Sequence, residues 1–231
     1  ILSPSAATME RVSVHAEMRR LLGDNLFDVP YDEWLPMRRA LQPIFTKKNV
    51  ATFAAHMAGA AETTTRGWED GGLVDLDAEC RKLTLRALGR SVLGVDLDQR
   101  SEQIAGSLNT ALSYIADRSG SPIRAPAWLP TPARRRALHA AAVLRGLTGD
   151  VLRECRQDTG RDAPLVRALM AAADPETGKC LSDNEIRDQL IVFLLAGHDT
   201  TAGVLPWVWY LLATHPEVEE IGRASCRERV S

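Results

Sequence analysis

"LLAGHDTTA", Leu194–Ala202, breaks the unbroken apolar run "LIVFLLAG" (190–197) with a glycine, a histidine, an aspartate and two threonines. Such a run reads as the middle of a buried helix. There Gly197 costs about 1 kcal/mol relative to alanine, and Thr200 and Thr201 are weak helix formers. Asp199 in that setting must find hydrogen bonds or give up its charge. Two readings stay open on these residues alone. In one, the helix kinks locally and the hydroxyls and carboxylate satisfy the kinked backbone. In the other, Gly197 lets a ligand sit against the helix, a bulge exposes a carbonyl, and Asp199 with Thr200 forms a proton-handling pair.

Working outward, Ser182 and Glu185 form a Ser-x-x-Glu capping box, so the central helix is predicted to run from Asp183 toward Ala213. At 1.5 Å per residue that is roughly 45 Å, enough to cross a domain. Pro206 is expected to bend it. Upstream, helices are predicted at 32–45, 48–67, 76–95, about 99–118, 131–157 and 164–172. In the third of these, Leu76, Cys80, Leu83, Ala87 and Val92 mark the apolar face. Thr131-Pro132 is an N-cap followed by proline at the first helical position. Before it, "SGSPIRAPAWLPTPARRR" (119–136) reads as a long surface connection. No convincing strand pattern is present, and the fold class is mostly α.

A net charge of −2 gives no reason to propose nucleic acid as a partner. Cys80, Cys155, Cys180 and Cys226 are widely spaced and form no metal pattern, which points to a reducing, cytoplasmic compartment. No metal ligand is assigned: His198 reads as a surface or groove residue, and it lies too far from His215 to suggest a shared site. No unbroken apolar run reaches the roughly 18 residues of a membrane span. The final stretch "IGRASCRERVS" (221–231) loses apolar periodicity and resembles translated sequencing-adapter DNA, so it reads as a non-native tail.

"AGHDTT" (196–201) resembles the Ala/Gly-Gly-x-Asp/Glu-Thr-Thr/Ser motif of the haem-thiolate monooxygenases, the cytochromes P-450. The likeness extends over "LSDNEIRDQLIVFLLAGHDTTAGVLPWVWYLLATHPEVEE". "WLPMRRALQPIF" resembles the family's Trp-x-x-x-Arg helix, and "GGLVDLDAECRKLTLRALGRSVLG" and "LPTPARRR" the helices between. The resemblance covers about residues 15–220 and is to soluble bacterial members. It implies the central part of the cytochrome P-450 fold, built around the long helix and incomplete.

The same resemblance implies a cofactor, haem b, whose propionate Trp34 and Arg38 would reach. Ala196 and Gly197 would lie against it and leave room for dioxygen. Thr200 and Asp199 would be the catalytic pair, guiding protons to bound oxygen. The implied activity is insertion of one oxygen atom into a small hydrophobic organic substrate, with electrons from a ferredoxin or flavoprotein reductase. Leu26, Phe27 and the loop around Trp128 would shape the pocket. The family's cysteine ligand, in a Phe-x-x-Gly…Cys-x-Gly loop, is absent here. Cys226 has Glu219 where the phenylalanine should be, and Glu220-Ile-Gly-Arg223 only imitates the Glu-x-x-Arg spacing. The chain therefore reads as an inactive fragment. The alternatives are a peroxide-driven relative and a non-catalytic helical ligand-binding protein.

Overall fold

The computed structural model describes residues 13–121, 125–126 and 128–228. Among them the regular elements are helical, and the single β-bridge joins Ala173 to Cys180 across a turn. In chain order the helices are α1 (Ser13–Leu22), α2 (Tyr31–Leu41), α3 (Lys47–Thr52), α4 (Ala54–Thr65), α5 (Leu76–Leu88), α6 (Ser101–Gly120), α7 (Pro132–Gln157), α8 (Pro164–Ala171), α9 (Asp183–Thr214) and α10 (Pro216–Glu228).

The caps follow their side-chain chemistry. Ser182 Oγ accepts from Glu185 N, and the Glu185 carboxylate accepts from Ser182 N at 2.7 Å, closing the capping box of α9. Thr131 Oγ1 accepts from Arg134 N at 3.2 Å and starts α7, and Asp75 caps α5 in the same way. Three expectations change. Pro36 lies inside α2 rather than in its first turn, because the helix already begins at Tyr31. Residues 48–67 divide into two helices at Phe53. The end of α5 widens into a π-turn, Gly89–Leu93.

The core forms where α5, α7 and α8 pack on the N-terminal half of α9. Ile186, Leu190, Ile191 and Leu194 are among its fully buried side chains. Each such side chain contributes roughly 1.5–3 kcal/mol on burial. On α5 the buried residues are Cys80, Thr84 and Leu85 rather than the full row from Leu76 to Val92, and Leu83 and Ala87 are half-buried. Residues 23–29, between α1 and α2, are held against α9 by Gln189, whose Oε1 accepts from Leu26 N at 3.1 Å. A buried Glu17 on α1 receives Arg118 of α6 at 3.0 Å and fixes that side of the molecule. Arg39 of α2 is clasped by Asp174 and Glu176, both at 2.8 Å.

The C-terminal half of α9 is different. Val204, Trp207, Trp209, Tyr210 and Leu211 are all more than half exposed. By length and composition α9, whose most apolar 18-residue window has a mean hydropathy of 1.3, is apolar enough to cross a membrane, although its longest unbroken apolar run is short. The helix passes Pro206 without interruption and also passes 196–201 without a break. Where the sequence loses its apolar period, α10 carries on helically to Glu228. The last three residues of the tail lie outside the described residues, as do residues 122–124 and 127 of the α6–α7 connection.

Candidate functional site

Helical rotation sorts the motif on α9 onto separate faces. Phe193, Ala196, Thr200, Val204 and Trp207 recur at three- and four-residue steps, so they share one stripe. Thr200, Val204 and Trp207 are exposed, and Phe193 and Ala196 are half-buried. His198, two residues before Thr200, points the opposite way and is 1% exposed. Asp199 lies between these faces.

The hydroxyl and the carboxylate do not bond each other. Thr200 Oγ1 donates to the Ala196 carbonyl one turn back, which keeps the helix closed. No bulge or opened carbonyl is formed, contrary to the pocket reading of the sequence. Asp199 Oδ1 accepts from Arg81 Nη1 of α5 at 3.1 Å, and Arg81 Nε also donates to Asp77 at 2.8 Å. These hydrogen bonds raise the Arg81 pKa further above its ordinary value.

Gly197 faces protein rather than open space. A Cβ there would lie 2.9 Å from Leu88 Cδ2 and 3.2 Å from Cδ1, so the missing side chain is what lets α5 approach α9. His198 is corrected as well: it is buried between α5 and α9, with Nδ1 3.1 Å from Thr84 Oγ1. Burial, and then the nearby Arg81 cation, hold its pKa below the ordinary imidazole value.

On α2, Arg38 and Trp34 do share a face. The guanidinium carbon lies 5.2 Å from the indole centroid, and Tyr31 stacks on the same ring at 5.8 Å. The exposed Arg38 has no carboxylate partner among the described residues, whereas neighbouring Arg39 has two. Past the end of α2, Phe45 in the 3₁₀ turn Gln42–Phe45 packs edge-to-face on Phe193 at 5.5 Å. The turn that follows α2 thus touches the α9 stripe at Phe45–Phe193. Between them, the stripe and α2 offer apolar and aromatic surface, a hydroxyl, and a cation with no carboxylate partner among the described residues. That donor set fits a large apolar group carrying an anionic edge.

Arg81, Thr84, Leu88 and Gln189 were not singled out by sequence reasoning. The spacing of 81, 84 and 88 does place those three on one helix face, but the apolar row beside them gave the stronger pattern. Leu26 is half-buried against α9, while Phe27 and Trp128 are 47% and 80% exposed. Cys80 and Cys155 are buried free thiols whose pKa values burial raises, and Cys180 is free and exposed.

The family model described as Cytochrome P450 matches residues 4–225. A cyclooctat-9-en-7-ol 5-monooxygenase of Streptomyces melanosporofaciens is 32% identical over 212 residues, covering 91% of this chain and 46% of the relative. A pentalenene oxygenase of Streptomyces avermitilis is 29% identical, with 87% and 44% covered. Among solved structures, the cytochrome P450DA heme domain superposes with a TM-score of 0.77 at 29% identity, covering 91% of this chain and 48% of that one. A mutant of the same heme domain gives 0.79 at 28% identity, with 94% and 50% covered. The chain spans about half the length of the relatives it matches.

Proposed function

The chain belongs to the cytochrome P450 family, and from that premise we propose that the protein it forms part of is a haem-dependent monooxygenase that inserts one oxygen atom into a hydrophobic organic substrate. The observation that carries this reading is the stripe Phe193–Ala196–Thr200, capped by Phe45, together with Arg38 of α2, which has no carboxylate partner among the described residues. Haem is a broad apolar plane with carboxylates along one edge, and this surface has the matching chemistry.

When bound, haem b supplies the iron at which dioxygen is activated. This chain's residues bind, orient and handle protons. Arg38 would pair with a propionate, and Trp34 backs its guanidinium. Ala196 presents only a methyl group, so a haem would find space against this part of the helix. Thr200, whose hydroxyl donates to the Ala196 carbonyl, would be the hydroxyl available to handle a proton on this face. Asp199, half-exposed and anchored on Arg81, carries protons inward from solvent beside the threonine. Gly197 serves this surface indirectly, by letting α5 and α9 close. The cysteine thiolate would come from outside these residues, since Cys80 and Cys155 are buried among helices, Cys180 pairs with Ala173 in the β-bridge, and Cys226 lacks the family's Phe-x-x-Gly…Cys-x-Gly pattern. Residues 1–231 alone therefore have no monooxygenase activity, and the exposed apolar half of α9 is where the rest of the protein packs.

The relatives' names record an alicyclic alkenol and pentalenene, so alicyclic alkenes and alkenols are the substrates to try first. A ferredoxin or flavoprotein supplies electrons, and we place the enzyme in the cytoplasm. The test is to express the full-length gene product and record its haem spectrum with carbon monoxide. Product is then measured per electron pair used, in the parent and in Thr200→Ala. A thiolate-haem spectrum with lowered product yield in the variant supports the reading. A full-length protein that binds no haem overturns it, as does one whose coupling ignores Thr200.

A further inference from the structure

Three side chains on one face of α5 engage three consecutive residues of α9. Arg81 holds Asp199, Thr84 meets His198 at 3.1 Å, and the Leu88 methyl groups fill the space beside Gly197. The middle contact has no part in the oxygen-handling reading. His198 lies on the side of α9 away from the Phe193–Ala196–Thr200 stripe.

Thr84 has one hydroxyl proton. Its Oγ1 lies 3.0 Å from the Cys80 carbonyl and 3.1 Å from the Arg81 carbonyl, and both are pure acceptors. With the proton directed there, the oxygen can only accept toward His198, and that arrangement puts the imidazole proton on Nδ1. Nε2 is then a bare lone pair in the interior, and no described residue donates to it. A buried acceptor without a donor is unfavourable, and a leucine of similar volume would avoid that. What histidine provides over leucine is a directed bond from α9 to α5.

We propose that His198 is a positioning residue: its Nδ1–H bond to Thr84 sets the rotation of α9 that keeps Asp199 on Arg81 and turns Thr200 onto the open stripe. The proposal rests on the oxygen-activation reading above. Neighbouring residues on a helix are fixed in angle to one another, so any turn of α9 that satisfied Nε2 instead would carry Asp199 and Thr200 with it.

The test uses the full-length, haem-loaded protein with His198→Leu, His198→Asn, Thr84→Val and Thr84→Ser, and Thr200→Ala as reference. Asparagine keeps an N–H near the position of Nδ1, and serine keeps the accepting hydroxyl. Coupling, read as product per electron pair, is expected to fall about threefold or more in the leucine and valine variants. It stays within about twofold of the parent for asparagine and serine. The double variant combining His198→Leu with Thr84→Val is no worse than either single one. Nitrogen-15 NMR is expected to show His198 neutral and protonated on Nδ1 in the parent. In Thr84→Val the proton moves to Nε2.

A His198→Leu variant with parental coupling overturns the proposal. So does an equal loss in all four variants, or an Nε2-protonated ring in the parent. If His198→Leu does not fold, Thr84→Val and the parent tautomer decide. Unchanged coupling in Thr200→Ala overturns the oxygen-activation reading itself. An uncoupled Thr200→Ala beside a coupled His198→Leu overturns only the role of His198.

Discussion

Arg81 Nη1 and Asp199 Oδ1 meet at 3.1 Å between α5 and α9, although the two residues are 118 positions apart in the chain. The pair is about one-third to one-half exposed, so its stabilising effect is small, under about 1 kcal/mol. On the proposed reading its effect on proton supply is larger, because the carboxylate it holds stands beside Thr200. Arg81→Met in the full-length protein is expected to leave the melting temperature within about 2 °C of the parent. Product per electron pair is expected to fall several-fold. A parental coupling ratio would show that Asp199 needs no anchor.

Gly197→Ala tests the close approach of the two helices. Alanine improves helix propensity by about 1 kcal/mol, but its Cβ presses on Leu88 at 2.9 Å. The clashing atoms are the ends of a half-buried leucine that can turn aside, so the single variant is expected to stay within about 1 kcal/mol of the parent in chemical denaturation. In a Leu88→Ala background the same substitution is expected to be stabilising, because the clash is gone and the propensity gain remains. A double-mutant cycle showing no coupling between 88 and 197 would refute this account.

Gly23 is required twice over. Its φ is +93°, and a Cβ would lie 2.0 Å from Asp188 Oδ2. Gly23→Ala is expected to cost more than about 2 kcal/mol and to loosen the 23–29 segment from α9. Gly178, with φ +69° but open space around it, provides the control, at roughly 1 kcal/mol for alanine. Urea unfolding of the two variants side by side makes the comparison. Equal losses would mean that backbone strain, not the contact with Asp188, governs Gly23.

Asp28 is fully buried, and burial raises its pKa from 3.8 to about 6 despite hydrogen bonds from Asn25 and the nearby Arg19. A folded state with the higher pKa binds the proton more tightly than the unfolded chain does. Its contribution is fully present below pH 3.8 and is lost as pH rises through 6. Asp28→Asn removes this loss. Relative to the parent, the variant is expected to gain stability between pH 4 and pH 7, on the order of 2 kcal/mol. Asp174 acts in the opposite direction: its hydrogen bonds to Arg39 and Thr177 hold it well below the carboxylate range. Its contribution is present at neutral pH and lost in acid. Parallel pH–stability curves for parent and Asp28→Asn would contradict the burial argument.

Local chemistry made much of the fold legible. Ser182, Thr131 and Asp75 cap their helices through bonds formed within three residues, and such bonds are written in the sequence itself. The period of α9 likewise placed Ala196 and Thr200 on one face whatever surrounds the helix. What the helix packs against is a different matter. Gly197 read as a gap for a ligand, and His198 as a surface residue, because composition does not reveal which neighbour fills a space. Only the packing of α5 on α9 gave Leu88 to Gly197, Thr84 to His198 and Arg81 to Asp199. The reason is physical: capping and helical period depend on interactions over one turn of backbone. The partner of a buried or half-buried side chain is decided by the register of two helices more than a hundred residues apart.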